Sequence, residues 1–312
     1  MELSYFSIVS DASCDLNAAL RSRFEIDALI YSQILFPDGH SETVDTDWGN
    51  ITPDAYFGSM VDKKLRYQSS SPGPENAKRV FRAELEKGND VLCVTLSSGM
   101  SAIYEHCLIA KEELASEFPD RTICILDSKR YSTASGLLCI LASKHRAEGK
   151  SITETVELLE NYSKRIHQSG WMDDLFFLAR AGRLSKGTAF MGTMIGVKPI
   201  ADFNLNTGMF QVIGKARGAN NALRAVVDYV KATIENPAEQ IVFVAHTLRK
   251  EYADRLGQMI QEEIGPKEVL VNWVGQTSGA NIGPGLVATF YLGKPLSEEL
   301  VEETEILKSI LK

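Results

Sequence analysis

Short apolar runs rich in β-branched residues alternate along the chain with longer segments whose apolar positions recur every three or four residues. Strands alternating with amphipathic helices predict an α/β fold. FSIVS at 6–10, DALIYSQILF at 27–36, VLCVTL at 91–96 and TICIL at 122–126 read as strands. Between the last two, Met100, Ile103, Tyr104, Cys107, Ala110 and Leu114 share one face of a helix over 100–118, which Pro119 and Asp120 end. Pro74 suits the first position of a helix that runs through Ala77, Val80, Phe81 and Leu85 to Gly88. Ser151 and Glu154 have capping-box spacing ahead of Ile152, Val156, Leu159 and Ile166, with Gly170 expected to close that helix. It reads as the bridge between two domains, 1–165 and 166–312. Beyond it, 209–214, 241–245 and 269–274 read as strands, 219–234 and 250–264 as helices, and a last helix follows Pro295 and Ser297.

With 312 residues, 44% of them hydrophobic and 24% charged, the chain is long enough for two cored units. Its net charge of −8 argues against a general nucleic-acid binder. The five cysteines form no CxxC, and Cys93, Cys107, Cys124 and Cys139 lie in apolar stretches, as expected of reduced, buried thiols. That usage points to the cytoplasm. The opening MELSYFSIVSDAS lacks the features of a signal peptide, and no apolar run approaches the roughly 20 residues of a membrane span, so stable membrane insertion is not expected.

One stretch carries candidate chemistry. VLCVTLSSGMSAIYE at 91–105 is an apolar strand that stops at two serines and a glycine before a helical pattern begins. Such a turn can offer backbone amides and the positive end of a helix dipole to an anion, with Gly99 allowing close approach and Ser97, Ser98 and Ser101 adding neutral donors. A plain serine cap is the competing reading. Gly-x-Ser-x-Gly is absent there, which disfavours a serine hydrolase.

Between Ala179 and Val227 stand Arg180, Arg183, Lys186, Lys198, Lys215, Arg217 and Arg224, with Asp202 the only acid. In an acidic chain this is either a solvated face or a contact for something anionic. GTAFMGTMIGV at 187–197 is uncharged and reads as a buried helix or a cavity wall, with Met191 and Met194 as adaptable filler. His40, His106, His145, His167 and His246 show no metal spacing. His246, just past a strand, reads as a satisfied loop residue or as one facing the interdomain cleft, Asp11 and Asp15 as turn or cap residues, and 298–305 (EELVEETE) as a solvated helix face.

Several segments, in order, resemble the DegV family: SIVSDASCDL, SSPGP at 70–74, VTLSSGMSAIYE, ILDSKRYSTASGLL at 125–138, LARAGRLSKGTAFMGTMIGVKPI at 178–200, GKARGANNAL at 214–223 and SGANIGPGLVATFYLG at 278–293. The resemblance covers nearly the whole chain. It implies an N-terminal three-layer α/β/α domain with a mostly parallel sheet, a C-terminal α/β domain, and one long-chain fatty acid held at the domain interface. It further implies a non-catalytic, lipid-binding subunit of bacterial fatty acid kinase. That subunit has no cofactor and presents the fatty acid to a separate ATP-dependent subunit for acyl-phosphate formation.

By the same resemblance Ser97, Ser98 and Gly99 hold the carboxylate, with Arg183 near the ligand mouth. The family's carboxylate-binding threonine falls at Tyr67, or at Gln68 or Ser69 if the loop is shifted, and its histidine before the Gly-Pro-Gly turn is Asn281 here. Asparagine donates hydrogen bonds but does not become cationic. Lys198, Lys215 and Arg217 are the candidate partner-docking cations. Two other readings compete: an enzyme acting on a small phosphorylated or carboxylated metabolite, and a regulatory protein whose basic island docks an acidic partner.

Overall fold

The computed structural model describes residues 5–185 and 196–312. Lys186, Met191, Met194 and most of the helix expected at 187–197 lie outside the described residues. The first part of the chain contains β1 (Phe6–Asp11), α1 (Ala18–Arg23), β2 (Ala28–Ile30), β3 (Gln33–Leu35), β4 (Ser41–Thr43), α2 (Pro53–Ser59), β5 (Gln68–Ser70), α3 (Pro74–Glu86), β6 (Asp90–Thr95), α4 (Ile103–Ala115), β7 (Ile123–Asp127), α5 (Thr133–Ala147) and α6 (Ile152–Ser163). There follow β8 (Ile166–His167), β9 (Gly170–Trp171), α7 (Phe176–Ala181), β10 (Val197–Asn204), β11 (Met209–Arg217), α8 (Ala219–Thr233), β12 (Ile241–His246), α9 (Lys250–Glu263), β13 (Glu268–Trp273), α10 (Gln276–Ile282), β14 (Val287–Leu292) and α11 (Val301–Ile310).

These elements form two compact units. One comprises the chain up to Asp47, Tyr67–Ser163 and Gly275–Ser278; the other comprises Trp48–Arg66, Lys164–Val274 and Gly279–Lys312. A single cut at 165 therefore leaves out two exchanged segments, 48–66 and 275–278.

In the first unit a parallel sheet runs in the order β2-β1-β6-β7. The two central strands are buried at every residue, which is why they read as unbroken apolar runs rather than alternating ones. Helices α3 and α4 pack on each other and on this sheet, as do α5 and α6. A small antiparallel sheet, β4-β3-β5, completes the unit. The single strand expected at 27–36 is thus two strands in two sheets. The break falls at the buried Ser32, whose hydroxyl bonds Thr277 Oγ1 at 2.9 Å and whose carbonyl accepts from the Val44 amide at 3.0 Å.

The capping box forms as read: the Ser151 amide donates to Glu154 at 2.8 Å and the Glu154 amide donates back to Ser151 Oγ at 3.2 Å. The helix, however, ends at Ser163 and not at Gly170. The buried Arg130 guanidinium donates to the Ser163 carbonyl, through Nε at 2.7 Å, where the helix dipole favours positive charge. Gly170 lies in β9, between β10 and β14, and a Cβ there would stand 2.3 Å from the Val287 carbonyl oxygen. Close strand approach, not helix termination, explains that glycine.

The second unit is a mixed sheet in the order β11-β10-β9-β14-β12-β13, with β8 also paired to β14. Among its described strand pairs only β12 and β13 run parallel. Its core gathers Trp171, Ile200, Val226, Val230, Val244, Leu256 and Ile260. Among the described residues no helix is long and apolar enough to cross a membrane.

Candidate functional site

The serine turn leaves the carboxyl end of β6, where open α/β sheets place ligands. Asp11, at the end of neighbouring β1, accepts from the Leu96 amide at 2.8 Å and from the Ser13 amide at 3.0 Å, so it both anchors the strand exit and caps its own short turn, the cap role read from sequence. Burial pushes its carboxyl above the ordinary value, against the pull of those hydrogen bonds.

Within the turn the fully buried Ser97 donates its amide to the Arg130 carbonyl at 2.9 Å. Its own carbonyl accepts from Met100 and Ser101, and its Oγ accepts from the Gly99 amide at 3.3 Å. Helix α4 begins only at Ile103, three residues later than the apolar periodicity indicates. The Ile103 amide meets Ser101 Oγ at 3.4 Å, and the Ser98 amide meets Asp127 Oδ1 at 3.1 Å. The amides of 98–101 and 103 therefore have acceptors inside the protein. The orphan helix amides from which the anion site was argued are thus not left over at these positions.

Ser98 differs from Ser97. Its hydroxyl donates to Asp127 Oδ2 at 2.5 Å and receives Lys129 Nζ at 2.7 Å, while Lys129 and Asp127 pair at 2.6 Å. Burial alone would raise the Asp127 pKa, but the hydrogen bonds from Lys129 and Ser98 outweigh it and hold the carboxyl below its usual value. Of the other expected head-group residues in this unit, Tyr67 is buried edge-on to Phe36 with ring centroids 5.3 Å apart. Ser69 sits mid-β5 opposite Ile34, half-buried, and Gln68 is exposed opposite Leu35.

Asp15 adopts a left-handed backbone (φ 57°) and is buried. Its carboxylate accepts from the Ser132 hydroxyl, from the Gly275 amide and from Ser278 Oγ at 3.4 Å. A Cβ on Gly275 would stand 2.6 Å from Asp15 Oδ1, so only glycine fits. Burial outweighs the three donors and raises the Asp15 pKa to about 7. Asp15 caps the short turn after β1, as read from sequence, but these donors were not foreseen, because they lie more than a hundred residues downstream.

In the second unit Gly182, at φ 69°, ends α7 in a left-handed cap, and Arg183 follows. Its amide donates to the Leu178 carbonyl at 2.9 Å and its guanidinium to the Ala181 carbonyl at 2.5 Å. Asn281 lies half-buried on α10. The basic island resolves into individual roles. Lys198 pairs with Asp173 at 2.6 Å, and Asp173 also pairs with Arg249. Arg224 is shared between Asp228 and Glu263, and Arg180 lies over Phe176 and Phe177. Lys215 and Arg217 are exposed on β11, the outermost strand of this sheet among the described residues, which Leu184 bridges at Phe210. The acidic partners of Lys198 and Arg224 come from elsewhere in the chain, as a solvated-face reading requires. Among the acids read as a solvated helix face at 298–305, Glu303 is buried and accepts from the Ser297 amide at 3.0 Å.

Two buried polar features differ from their sequence reading. Asp202, the lone acid of the island, accepts from the amides of Gln168 and Phe203 and faces His167 Nδ1 at 3.2 Å and the Tyr229 hydroxyl at 3.3 Å. It serves the core of its unit rather than the cations beside it in sequence. His246 is the last residue of β12, 2% exposed, with its ring 4.2 Å from that of Trp273 and no partner on Nδ1. It is not a satisfied loop residue, and burial, with Lys250 adding to it, lowers its pKa to about 4. Among the described residues no group of three or more His, Cys, Asp or Glu side chains is arranged to hold a metal.

Known proteins share both sequence and fold with this chain. The model of the family described as "Uncharacterised protein, DegV family" matches residues 5–294. A DegV domain-containing protein of Clostridium perfringens is 28% identical over 288 residues, 92% of this chain and 97% of that protein. A Thermus thermophilus structure, described as fatty acid binding of a DegV family protein, superposes with a TM-score of 0.81 at 25% identity, over 92% of this chain and 99% of that one. A stearic acid-binding protein of Eubacterium ventriosum shares the fold, with a TM-score of 0.78 at 24% identity, over 93% of this chain and 98% of that one.

Proposed function

The chain belongs to the DegV family, and from that premise we propose that it binds a long-chain fatty acid. The carboxylate lies at the Ser97-Ser98-Gly99 turn, with Tyr67, Ser69, Arg183 and Asn281 as further head-group residues, and the acyl chain lies in an interior tunnel. The protein is a non-catalytic carrier that presents the fatty acid to an ATP-dependent kinase subunit for acyl-phosphate formation. The observation that carries this reading is the likeness, over nearly the whole chain, to the fatty-acid-binding Thermus thermophilus protein.

Physical chemistry supports it. Burying an acyl chain is worth about 0.8 kcal/mol per methylene, while a carboxylate taken out of water is costly unless several donors meet it. A hydroxyl-rich turn at the end of a buried strand supplies neutral donors of that kind. The competing metabolite enzyme finds no support at the serine turn: the Ser98 hydroxyl is bonded to Asp127, an acid held below its usual pKa and so a poor general base.

Denaturing mass spectrometry of freshly purified protein tests the reading. A copurifying long-chain fatty acid, or stoichiometric uptake of added oleate, is the expected result. Protein that is repeatedly empty and rejects oleate overturns it.

A further inference from the structure

We propose that Asp127 is the positioning residue of the serine turn, and that Ser98 belongs to this clamp rather than to the ligand. The inference rests on the head-group reading of that turn and refines which serine serves it.

Asp127 ends β7, one strand over from the strand that delivers the turn. Its carboxylate accepts from the Ser98 amide at 3.1 Å, the Ser98 hydroxyl at 2.5 Å and the Lys129 amide at 3.1 Å, and it pairs with Lys129 Nζ at 2.6 Å. Four contacts on one side chain tie the loop after β6 to the loop after β7. The second loop needs a tie: Lys129 (φ 49°) and Ser132 (φ 61°) both hold positive-φ backbones that non-glycine residues adopt at a cost. The same loop supplies the Arg130 carbonyl that receives the Ser97 amide at 2.9 Å. Asp127 therefore fixes Ser97 from both sides, through its sequence neighbour and through the carbonyl it bonds.

The hydroxyl inventory excludes Ser98 as a head-group donor. A serine hydroxyl has one hydrogen, and here it points at Asp127, while Lys129 takes one lone pair. To donate to a ligand carboxylate, Ser98 would break a charge-assisted bond and bring a second carboxylate beside Asp127, where like charges repel.

The test measures dissociation constants for palmitate and for hexadecanol, which has the same chain and no carboxylate, with wild type, Asp127→Ala, Asp127→Asn and Ser98→Ala. Asp127→Ala is expected to weaken palmitate roughly tenfold, the scale of a displaced charge-assisted hydrogen bond, and to leave hexadecanol within about twofold. Adding Ser98→Ala to it should cost nothing more, because both act through one clamp. Asp127→Asn keeps the shape and an acceptor, and gives a folded variant if alanine does not. Unchanged palmitate binding in the Asp127 variants, equal weakening of acid and alcohol, or tighter palmitate binding with Asp127→Ala alongside loss with Ser98→Ala, overturns the proposal. If wild type binds neither compound, the fatty-acid reading fails by itself. The clamp is then read from amide exchange at 98–101, which Asp127→Asn must accelerate and which, if unchanged, overturns it.

Discussion

Asp15 keeps its proton in the folded protein up to about pH 7, because burial outweighs the hydrogen bonds from Ser132, Gly275 and Ser278. In the unfolded chain it ionises near the ordinary aspartate value of about 3.9. Between those values the folded state carries one more proton than the unfolded state, so this residue's contribution to stability falls as pH rises, by about 1.4 kcal/mol per pH unit. His246 has the opposite sign: it is neutral in the fold down to about pH 4, so its contribution falls as pH drops below the unfolded histidine value of about 6.5. Asp15→Asn imitates the protonated carboxyl and removes one slope only. Denaturant unfolding at pH 5 and pH 6.5 should show the variant gaining on wild type by about 2 kcal/mol across that interval. A constant difference would mean that Asp15 is already ionised in the fold.

Helix α5 is buried along almost its whole length, and its fit against the turn at Ala12–Cys14 is decided at Gly136. A Cβ there would lie 2.4 Å from the Cys14 carbonyl oxygen, a backbone atom that cannot swing aside. Helix propensity favours alanine over glycine by about 1 kcal/mol, yet overpacking typically costs about 1–3 kcal/mol. Gly136→Ala should therefore destabilise the protein in thermal or denaturant melts, and a stabilised variant would show that the turn yields. Such contacts mark the limit of sequence reading. The central strands β1 and β6 and the capping box at Ser151 were legible because their signals are local: unbroken apolar runs and a three-residue spacing. Strands β3, β4, β5, β8 and β9 have two or three residues each, too few for any periodicity, and β5, β8 and β9 pair with strands far off in sequence. The serine turn was found as a place, but the division of labour inside it was not. Asp127 lies 29 residues from Ser98, and nothing in the spacing relates them.

A chain of net charge −8 keeps two exposed cations, Lys215 and Arg217, two residues apart on β11, the outermost described strand of its sheet. Cations on an edge discourage strand-to-strand aggregation, and that role alone would explain them. Lys198 and Arg224 are engaged in ion pairs within their own unit. If Lys215 and Arg217 instead dock the ATP-dependent partner, their attraction acts at long range in solution. It then governs association rate and salt dependence more than the hold on lipid. Reversing both, Lys215→Glu with Arg217→Glu, should slow acyl-phosphate formation by roughly tenfold at low ionic strength and flatten its salt dependence. The fatty acid recovered by mass spectrometry should stay unchanged, because these side chains lie on the surface of a different unit from the serine turn. Unaltered turnover would return the pair to its edge-protecting role. Loss of lipid together with turnover would show instead that the reversal disturbed the fold of the carrier.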